Sequence, residues 1–459
     1  TYNKIKAEFQ VTKGKGLVKE ALYKAVHSDI SGSIGLGHVR YPTAGTLSHQ
    51  EAQPFISHSH IPIALVHNGN IINTESLSKR FGKACQTSSD SELLMQLLSH
   101  HIYSLCWHDF TLENLFQAVK ATMNELVGAY SVICMIKDVG LLAFRDPHGI
   151  RPLIYGKQPV ADGMEWMVAS ESVALDVLGY QIVDNVQPGE AVFIDSNNQC
   201  HRNRLISDIE HTPCLFEYIY LARPDSIIDT ISVYDARYEM GRTLAAKIVK
   251  QELNRDIDVV MPIPDTGRIA ALAIANELGV PYAEGFIKNR YITRTFIMPN
   301  QKRRKKAVQM KLHAIPQLFN EKNVLLVDDS IVRGNTSKEI VIKAKHAGAN
   351  RVYFCSAAPP IKYPNVYGID MPTAHELISS NKDLDSLAMY LGADKVIFQD
   401  LFDLKQSLHD LQQQTHGKIL IKDFEDSVFS NKYVTGDLSD QYKDQLINSR
   451  SDKHKTEVS

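Results

Sequence analysis

No uninterrupted apolar run in the 459 residues reaches the roughly 20 needed to span a bilayer, and the opening lacks the charged-then-apolar order of a signal peptide. No membrane partner is expected, and the cytoplasm is the expected location. Six cysteines (Cys85, Cys106, Cys134, Cys200, Cys214 and Cys355) include no CxxC pair, which argues against a disulfide framework, a zinc site or an iron-sulfur cluster. The formal net charge is only -2, so no global field gathers nucleic acid, and any anion site must come from a local cluster. Internal repeats are missing too. What is present, 44% hydrophobic and 22% charged residues, is the composition of a globular protein. The length exceeds one ordinary core and points to two domains.

The chain begins at Thr1 with TYNKIKAEFQ, which alternates like a strand interior and has no initiator Met, so the expectation is a chain whose beginning is missing. Residues 1 to about 205 carry short strand-like runs (IPIALVHNG, AYSVICMIKD, GLLAFRD, EWMVAS, EAVFID) between Gly, Pro and Asn turns, with helical patterns at 90–102 and 112–127. Layers of strands and helices follow, with antiparallel pairing. After about residue 235, strands and helices alternate: DIDVVMPI, a helix over 268–278, VPYAEGF, NVLLVDD, a helix over 336–347, then RVYFCSAA. That order implies a parallel sheet with right-handed crossovers. The expected division is 1–210, 211–430 and a polar tail over 431–459. Residues 286–311 carry nine Lys and Arg, among them Lys288, Arg290 and Arg294, and no acid, which suggests a mobile basic excursion.

VLLVDDSIVRGNTS at 324–337 ends a buried strand in Asp328 and Asp329, at the edge where open α/β sheets place their ligands. The next turn offers Gly334 for close backbone approach, and Thr336 with Glu339 spells a T-x-x-E capping box for the following helix. A helix N-terminus is an anion site. Two carboxylates beside it make sense for a ligand that also carries hydroxyls or a divalent cation, as a phosphorylated sugar does. An ordinary strand-to-helix turn would read the same. PIPDTG at 262–267 likewise follows a strand and opens a helix, so that Thr266 and the backbone of 265–267 face a pyrophosphate, unless it is only a Pro-rich turn. The basic excursion then acts as a lid over a polyanion or, alternatively, as a nucleic-acid patch or localisation signal.

These stretches, with KNRYITRTFIMPNQ, resemble the type I phosphoribosyltransferase half of the glutamine phosphoribosylpyrophosphate (PRPP) amidotransferase family. The resemblance implies that Ser330, Ile331, Val332, Arg333, Gly334, Asn335 and Thr336 cradle the 5-phosphate. Asp328 and Asp329 then contact ribose or metal, Thr266 helps bind the metal, and Lys288, Arg290 and Arg294 belong to the closing lid. It implies Mg2+ as cofactor and a parallel-sheet α/β domain.

In the first half, Arg40 in GLGHVRYPTAG suits a substrate carboxylate, or a structural ion pair. Asn68 and Gly69 in VHNGN suit an oxyanion, or a hairpin turn. Asp90 in TSSDSELL suits a substrate amine, or an N-cap. Together they resemble the same family's class II glutamine amidotransferase domain, of Ntn-hydrolase layered α/β fold, in which this Arg and Asp hold glutamine and this Asn-Gly holds the oxyanion. FRDPHGIRPL at 144–153 also matches. The family's N-terminal cysteine nucleophile has no counterpart here, and the register of residues 1–21 argues against Thr1 as its substitute. The expectation is therefore either a fragment or a chain dependent on free ammonia, with an inactive glutaminase half. The missing Met and retained glutamine-site residues favour the fragment.

The resemblance spans about residues 8–435 and implies the cluster-free branch, because YPNVYGID carries Asn365 where cluster-bearing members have cysteine and no CxxC follows. The implied activity is transfer of glutamine-derived ammonia to PRPP, giving phosphoribosylamine in the first step of purine synthesis, by a homotetramer inhibited by purine nucleotides. Tyr41 and Tyr220 are implied as linings of an ammonia passage. A non-catalytic PRPP or nucleotide sensor is the rival, and a nucleobase salvage enzyme the third reading, although it would leave the first 200 residues without a role.

Overall fold

The computed structural model describes residues 1–23, 32–40, 49–161, 163–289, 312–436, 438 and 442. Two compact units emerge, one comprising Thr1–Pro213 with Asn365–Asp370, the other Cys214–Pro364 with Met371–Ser459. The short return of 365–370 into the first unit has no signature in the sequence.

In the first unit an antiparallel six-stranded sheet runs in the order Cys200–Arg204, Glu190–Asp195, Gly140–Arg145, Gly128–Ile136, Ile63–Ile71, Phe55–Ser57. Helices Asp90–Cys106 and Leu112–Glu125 cover one face. They fit that role because Leu94, Leu97, Leu98 and Ile102 on the first, and Leu115, Phe116 and Val119 on the second, recur at helical spacing and are buried. Thr111 caps the second helix by accepting from the Asn114 amide at 3.2 Å. On the opposite face, Ala143 and Val192 pack with Tyr155 of a three-stranded sheet, Gly163–Ala169, Ile154–Val160 and Gln181–Asn185, and with Leu153 and Val186 that flank its strands. Tyr2–Asn3 pairs with Glu8–Phe9, and Tyr2 packs beside Ala64 and Met135.

The second unit holds a parallel sheet in the order Val259–Pro262, Asn323–Asp328, Arg351–Ser356, Lys395–Phe398. Val324 to Val327 are fully buried because helices cover both faces, and each such side chain contributes about 1.5–3 kcal/mol of burial. Val233–Lys250 and Arg268–Leu278 pack on one face, Asn335–His346 and Leu384–Leu391 on the other. The segment expected as the strand VPYAEGF makes only an isolated parallel bridge, Val260 with Tyr282. Pro281 has no amide hydrogen to donate, which suits an edge and shortens the ladder. Phe286–Lys288 instead pairs antiparallel with Leu312–Ala314. No described helix is long and apolar enough to cross a membrane.

Candidate functional sites

Parallel pairing places Pro262 opposite Val327, so the turns after both strands start side by side at the sheet's C-terminal edge. Their junction is a hydrogen bond in which the Thr266 hydroxyl donates to Asp329 Oδ2. Ser330 Oγ donates to Asp329 Oδ1 at 2.6 Å, and the Asp329 amide donates to Asp328 Oδ1 at 3.0 Å. Burial pushes both carboxyls above the usual range. Their mutual repulsion adds to the effect at Asp328, while the Ser330 and Thr266 hydroxyls and the buried Arg237 guanidinium oppose it at Asp329. The Pro264–Asp265 peptide is cis.

Beyond the acids the chain turns through Gly334 at φ +73°, which seats it as N-cap of Asn335–His346 with no side-chain cap. The Thr336–Glu339 capping box therefore does not form at that position: the left-handed glycine starts the helix earlier and leaves Thr336 inside its first turn. First-turn amides without a side-chain cap make an anion site. The cradle is braced from outside, since the Ile378 amide donates to Val332 O at 3.0 Å, Arg333 pairs with Glu376 at 3.3 Å and Tyr390 donates to Asn335 Oδ1 at 3.0 Å. Ile331 is buried in the core, so only its backbone faces the turn. Lys288 pairs with Asp265, which also pairs with Arg268 at 3.0 Å. Arg290 and Arg294, with most of the basic excursion, lie outside the described residues, as does Tyr41. Tyr220 is exposed.

In the first unit, Asn68 and Gly69 do not form a hairpin turn. They sit within strand Ile63–Ile71, opposite Ser131 and Tyr130. Gly69 has φ +145°, and a Cβ there would collide with the Ala129 carbonyl. The Asn68 Oδ1 accepts from Arg151 Nη2 at 3.3 Å. Asp90 is the first helical residue, with Ser89 at the N-cap, and its Oδ2 accepts from the Ile71 amide at 3.0 Å. Arg40 forms the ion pair left open by the sequence, with buried Glu51 at 3.1 Å, and Glu51 also accepts from Ser88 at 3.0 Å. Residues 40, 51 and 88–90 thus converge at the end of the Asn-Gly strand.

Several participants carried no signal in the sequence. His67 is buried, with Nδ1 at 2.9 Å from Ser91 Oγ, and Gln53 ties the His67 backbone to the same serine. Burial holds His67 below its ordinary pKa, opposed by the nearby Asp90 charge. Asp146, fully buried, accepts from the amides of His148 and Ile150 at 3.0 Å and of Arg151 at 3.3 Å, which folds FRDPHGIRPL around one carboxylate. For Asp146 the available hint was the match of FRDPHGIRPL to the family as a whole stretch, which did not single out the carboxylate.

A parallel sheet with paired acids and an uncapped helix start, and a layered antiparallel unit with Arg, Asn-Gly and Asp at one strand end, define the class: a phosphoribosyltransferase unit in one chain with a glutamine amidotransferase unit. Residues 229–366 match the phosphoribosyl transferase domain family and residues 38–177 the glutamine amidotransferase domain family. Among curated proteins, the Pseudomonas aeruginosa amidophosphoribosyltransferase is 48% identical over 447 residues, covering 96% of this chain and 88% of that protein. The Escherichia coli amidophosphoribosyltransferase is 47% identical over 97% of this chain and 88% of its own length, and that of Saccharomyces cerevisiae 42% over 95% and 86%. Among solved structures, the glutamine PRPP amidotransferase of B. subtilis, complexed with ADP and GMP, superposes with TM-score 0.73 at 36% identity over 86% of this chain and 82% of that one. A structure described as the allosteric regulatory enzyme of purine biosynthesis gives 0.78 at 36% identity over 93% and 87%. This chain belongs to the amidophosphoribosyltransferase family.

Proposed function

We propose that this protein transfers ammonia, released from the glutamine side-chain amide, to C1 of PRPP, giving 5-phosphoribosylamine, pyrophosphate and glutamate at the entry to purine synthesis. The observation that carries this reading is the Thr266–Asp329 hydrogen bond, which joins a pyrophosphate-type turn to an acid pair and an uncapped helix start in one constellation. Asp328 and Asp329 accept hydrogen bonds from the ribose hydroxyls, and the amides of 331–336 hold the 5-phosphate. The turn at 264–267 faces the pyrophosphate. The C1–O bond breaks with its electron pair leaving on pyrophosphate, positive charge develops on the ring, and the ammonia lone pair closes the C1–N bond with loss of one proton to solvent. No protein nucleophile is needed in this unit, whose task is positioning and charge.

Paired carboxylates beside a hydroxyl are hard oxygen donors of the kind Mg2+ takes, and burial, with repulsion between the two acids at Asp328, disfavours their charged forms in a way that a bound cation would offset. Among the described residues no group of three or more His, Cys, Asp or Glu is placed to hold a metal, so Asp328, Asp329 and Thr266 would share Mg2+ with substrate oxygens. When bound it draws charge from the leaving pyrophosphate.

In the first unit, Arg40 and Asp90 hold the glutamine carboxylate and amine, and Asn68 with Gly69 receive the oxyanion formed when a thiolate, assigned by family resemblance to an N-terminal cysteine, adds to the amide carbon. Purine nucleotides are the proposed inhibitors, in keeping with the B. subtilis relative solved in complex with ADP and GMP. A homotetramer is the proposed assembly, by family resemblance alone. Pyrophosphate release from PRPP, measured with ammonium and separately with glutamine as nitrogen donor, tests the reading. Turnover with at least one donor is expected. PRPP binding without turnover on either would replace it with a sensor.

A further inference from the structure

We infer that Arg151 is a positioning residue of the glutamine half: it fixes the side-chain amide of Asn68 with its N–H donor, and not its oxygen, turned toward the reacting carbonyl. The inference rests on the reading of Asn68 as an oxyanion donor.

A guanidinium carries donors only, so the atom of Asn68 that faces Arg151 Nη2 at 3.3 Å has to be Oδ1. The Nδ2 group is left pointing away, and no hydrogen bond holds it among the described residues. An amide without such a partner turns over readily, because its oxygen and nitrogen ends are nearly the same size, and a carbonyl oxygen facing an oxyanion repels it. The contact also has an electronic effect. A cationic donor on Oδ1 polarises the amide and makes the Nδ2 hydrogen a stronger donor.

Arg151 is built to hold that position. It is 7% exposed, and its backbone is fixed at both ends: its amide donates to Asp146 Oδ2 at 3.3 Å and its carbonyl accepts from Arg145 Nε at 2.6 Å. Arg145, itself fully buried, also donates to Gly149 O at 2.7 Å and Val186 O at 3.0 Å, so the turn from Asp146 to Arg151 is tied to the sheet beneath it. Ser131, directly opposite Asn68 in the ladder, donates to the Arg151 and Pro152 carbonyls at 3.1 Å. These contacts fix the backbone from which the Arg151 guanidinium reaches the Asn68 amide.

The step it serves balances simply. The thiolate pair forms the C–S bond, the carbonyl π pair moves onto oxygen and is held by Asn68 Nδ2–H and the Gly69 amide. That pair then returns as the C–N bond breaks and the nitrogen takes up a proton to leave as ammonia.

The test uses the full-length gene product and steady-state kinetics with glutamine and, separately, ammonium. Arg151→Gln is expected to lower glutamine-dependent kcat about 10- to 100-fold, with KM for glutamine changed less than about threefold and ammonium-dependent turnover unchanged. Asn68→Ala is expected to cost about 100- to 1000-fold. In the Asn68→Ala background, Arg151→Gln is expected to cost nothing further, since it has no amide left to orient. Arg151→Lys, which keeps a cation without the planar fork, is expected to fall between wild type and Gln, and it replaces Gln in the cycle if ammonium-dependent turnover shows that the Gln variant misfolds. Full additivity of the two substitutions, or a parallel fall in both activities for Lys as well as Gln, overturns the inference. Wild-type glutamine turnover in Asn68→Ala, or no glutamine turnover in the full-length protein, overturns instead the reading of the site on which it rests.

Discussion

Replacing Asp329 by Asn changes charge and little else. Asp329 accepts from Ser330 and Thr266, and both partners are hydroxyls that reverse to accept from an amide, so the two hydrogen bonds survive the substitution. What disappears is one of two neighbouring carboxylates, in a place where burial holds both carboxyls above their ordinary range and the Asp329 charge raises Asp328 further. Unit charges 4 Å apart at an effective dielectric near 20 interact by about 4 kcal/mol, falling inversely with distance. With Asp328 partly solvated, about 1–2 kcal/mol of relief in the ligand-free protein is a fair expectation. That corresponds to a rise in Tm of about 2–8 °C for a unit of this size. The same change removes a charged acceptor for ribose or a metal-bound oxygen, worth about 1.5–3 kcal/mol, or about 10- to 150-fold in turnover with ammonium. Thermal unfolding without ligand and pyrophosphate release with PRPP and ammonium measure both. A variant that is destabilised, or one with wild-type turnover, refutes the assignment of an acid pair kept strained for a ligand.

Three further outcomes are expected. Gly334→Ala puts a Cβ 2.7 Å from Ile378 Cδ1 at a positive φ, so it should destabilise by about 1–2 kcal/mol and raise KM for PRPP more than it lowers expression. Gly368→Ala puts a Cβ 2.8 Å from the Gly69 carbonyl group, so glutamine-dependent turnover should fall several-fold while ammonium-dependent turnover stays, and equal loss of both would disprove the link. His38 is held near 4 by burial and by the His67 and Arg40 charges. The unfolded chain therefore binds the proton first, and this histidine costs stability as pH falls from about 6.5 toward about 4. Chemical denaturation across that window should show a shallower decline in His38→Gln, and an unchanged slope would rule it out.

The phosphoribosyltransferase half was legible because its signals are local. VLLV is a run of four buried residues, Asp328 and Asp329 follow it directly, and a helix pattern follows them, so strand, acids and anion turn are read within 14 residues. The first helix start was misread because the T-x-x-E pattern and a left-handed glycine compete for the N-cap, and Gly334 wins by lying at the turn itself. VPYAEGF was misread because its strand-like content was weighed above Pro281, which removes a ladder donor and leaves one isolated bridge. The glutamine half was legible in its nearest residues only. Arg151 meets Asn68 across 83 positions and Asn70 meets Val366 across 296, separations at which no spacing rule operates.

That last pairing bears on how the gene can be cut. Asn70 Nδ2 donates to the Val366 carbonyl at 2.8 Å, and the Gly368 backbone lies against Gly69. Six residues from late in the chain thus complete the wall behind the Asn-Gly strand. A stop codon after Pro213 would release a polypeptide that ends at a clean boundary in sequence yet lacks a piece of its own interior. Shuffling of this amidotransferase half onto other acceptor enzymes would have to carry, or replace, that distant hexapeptide.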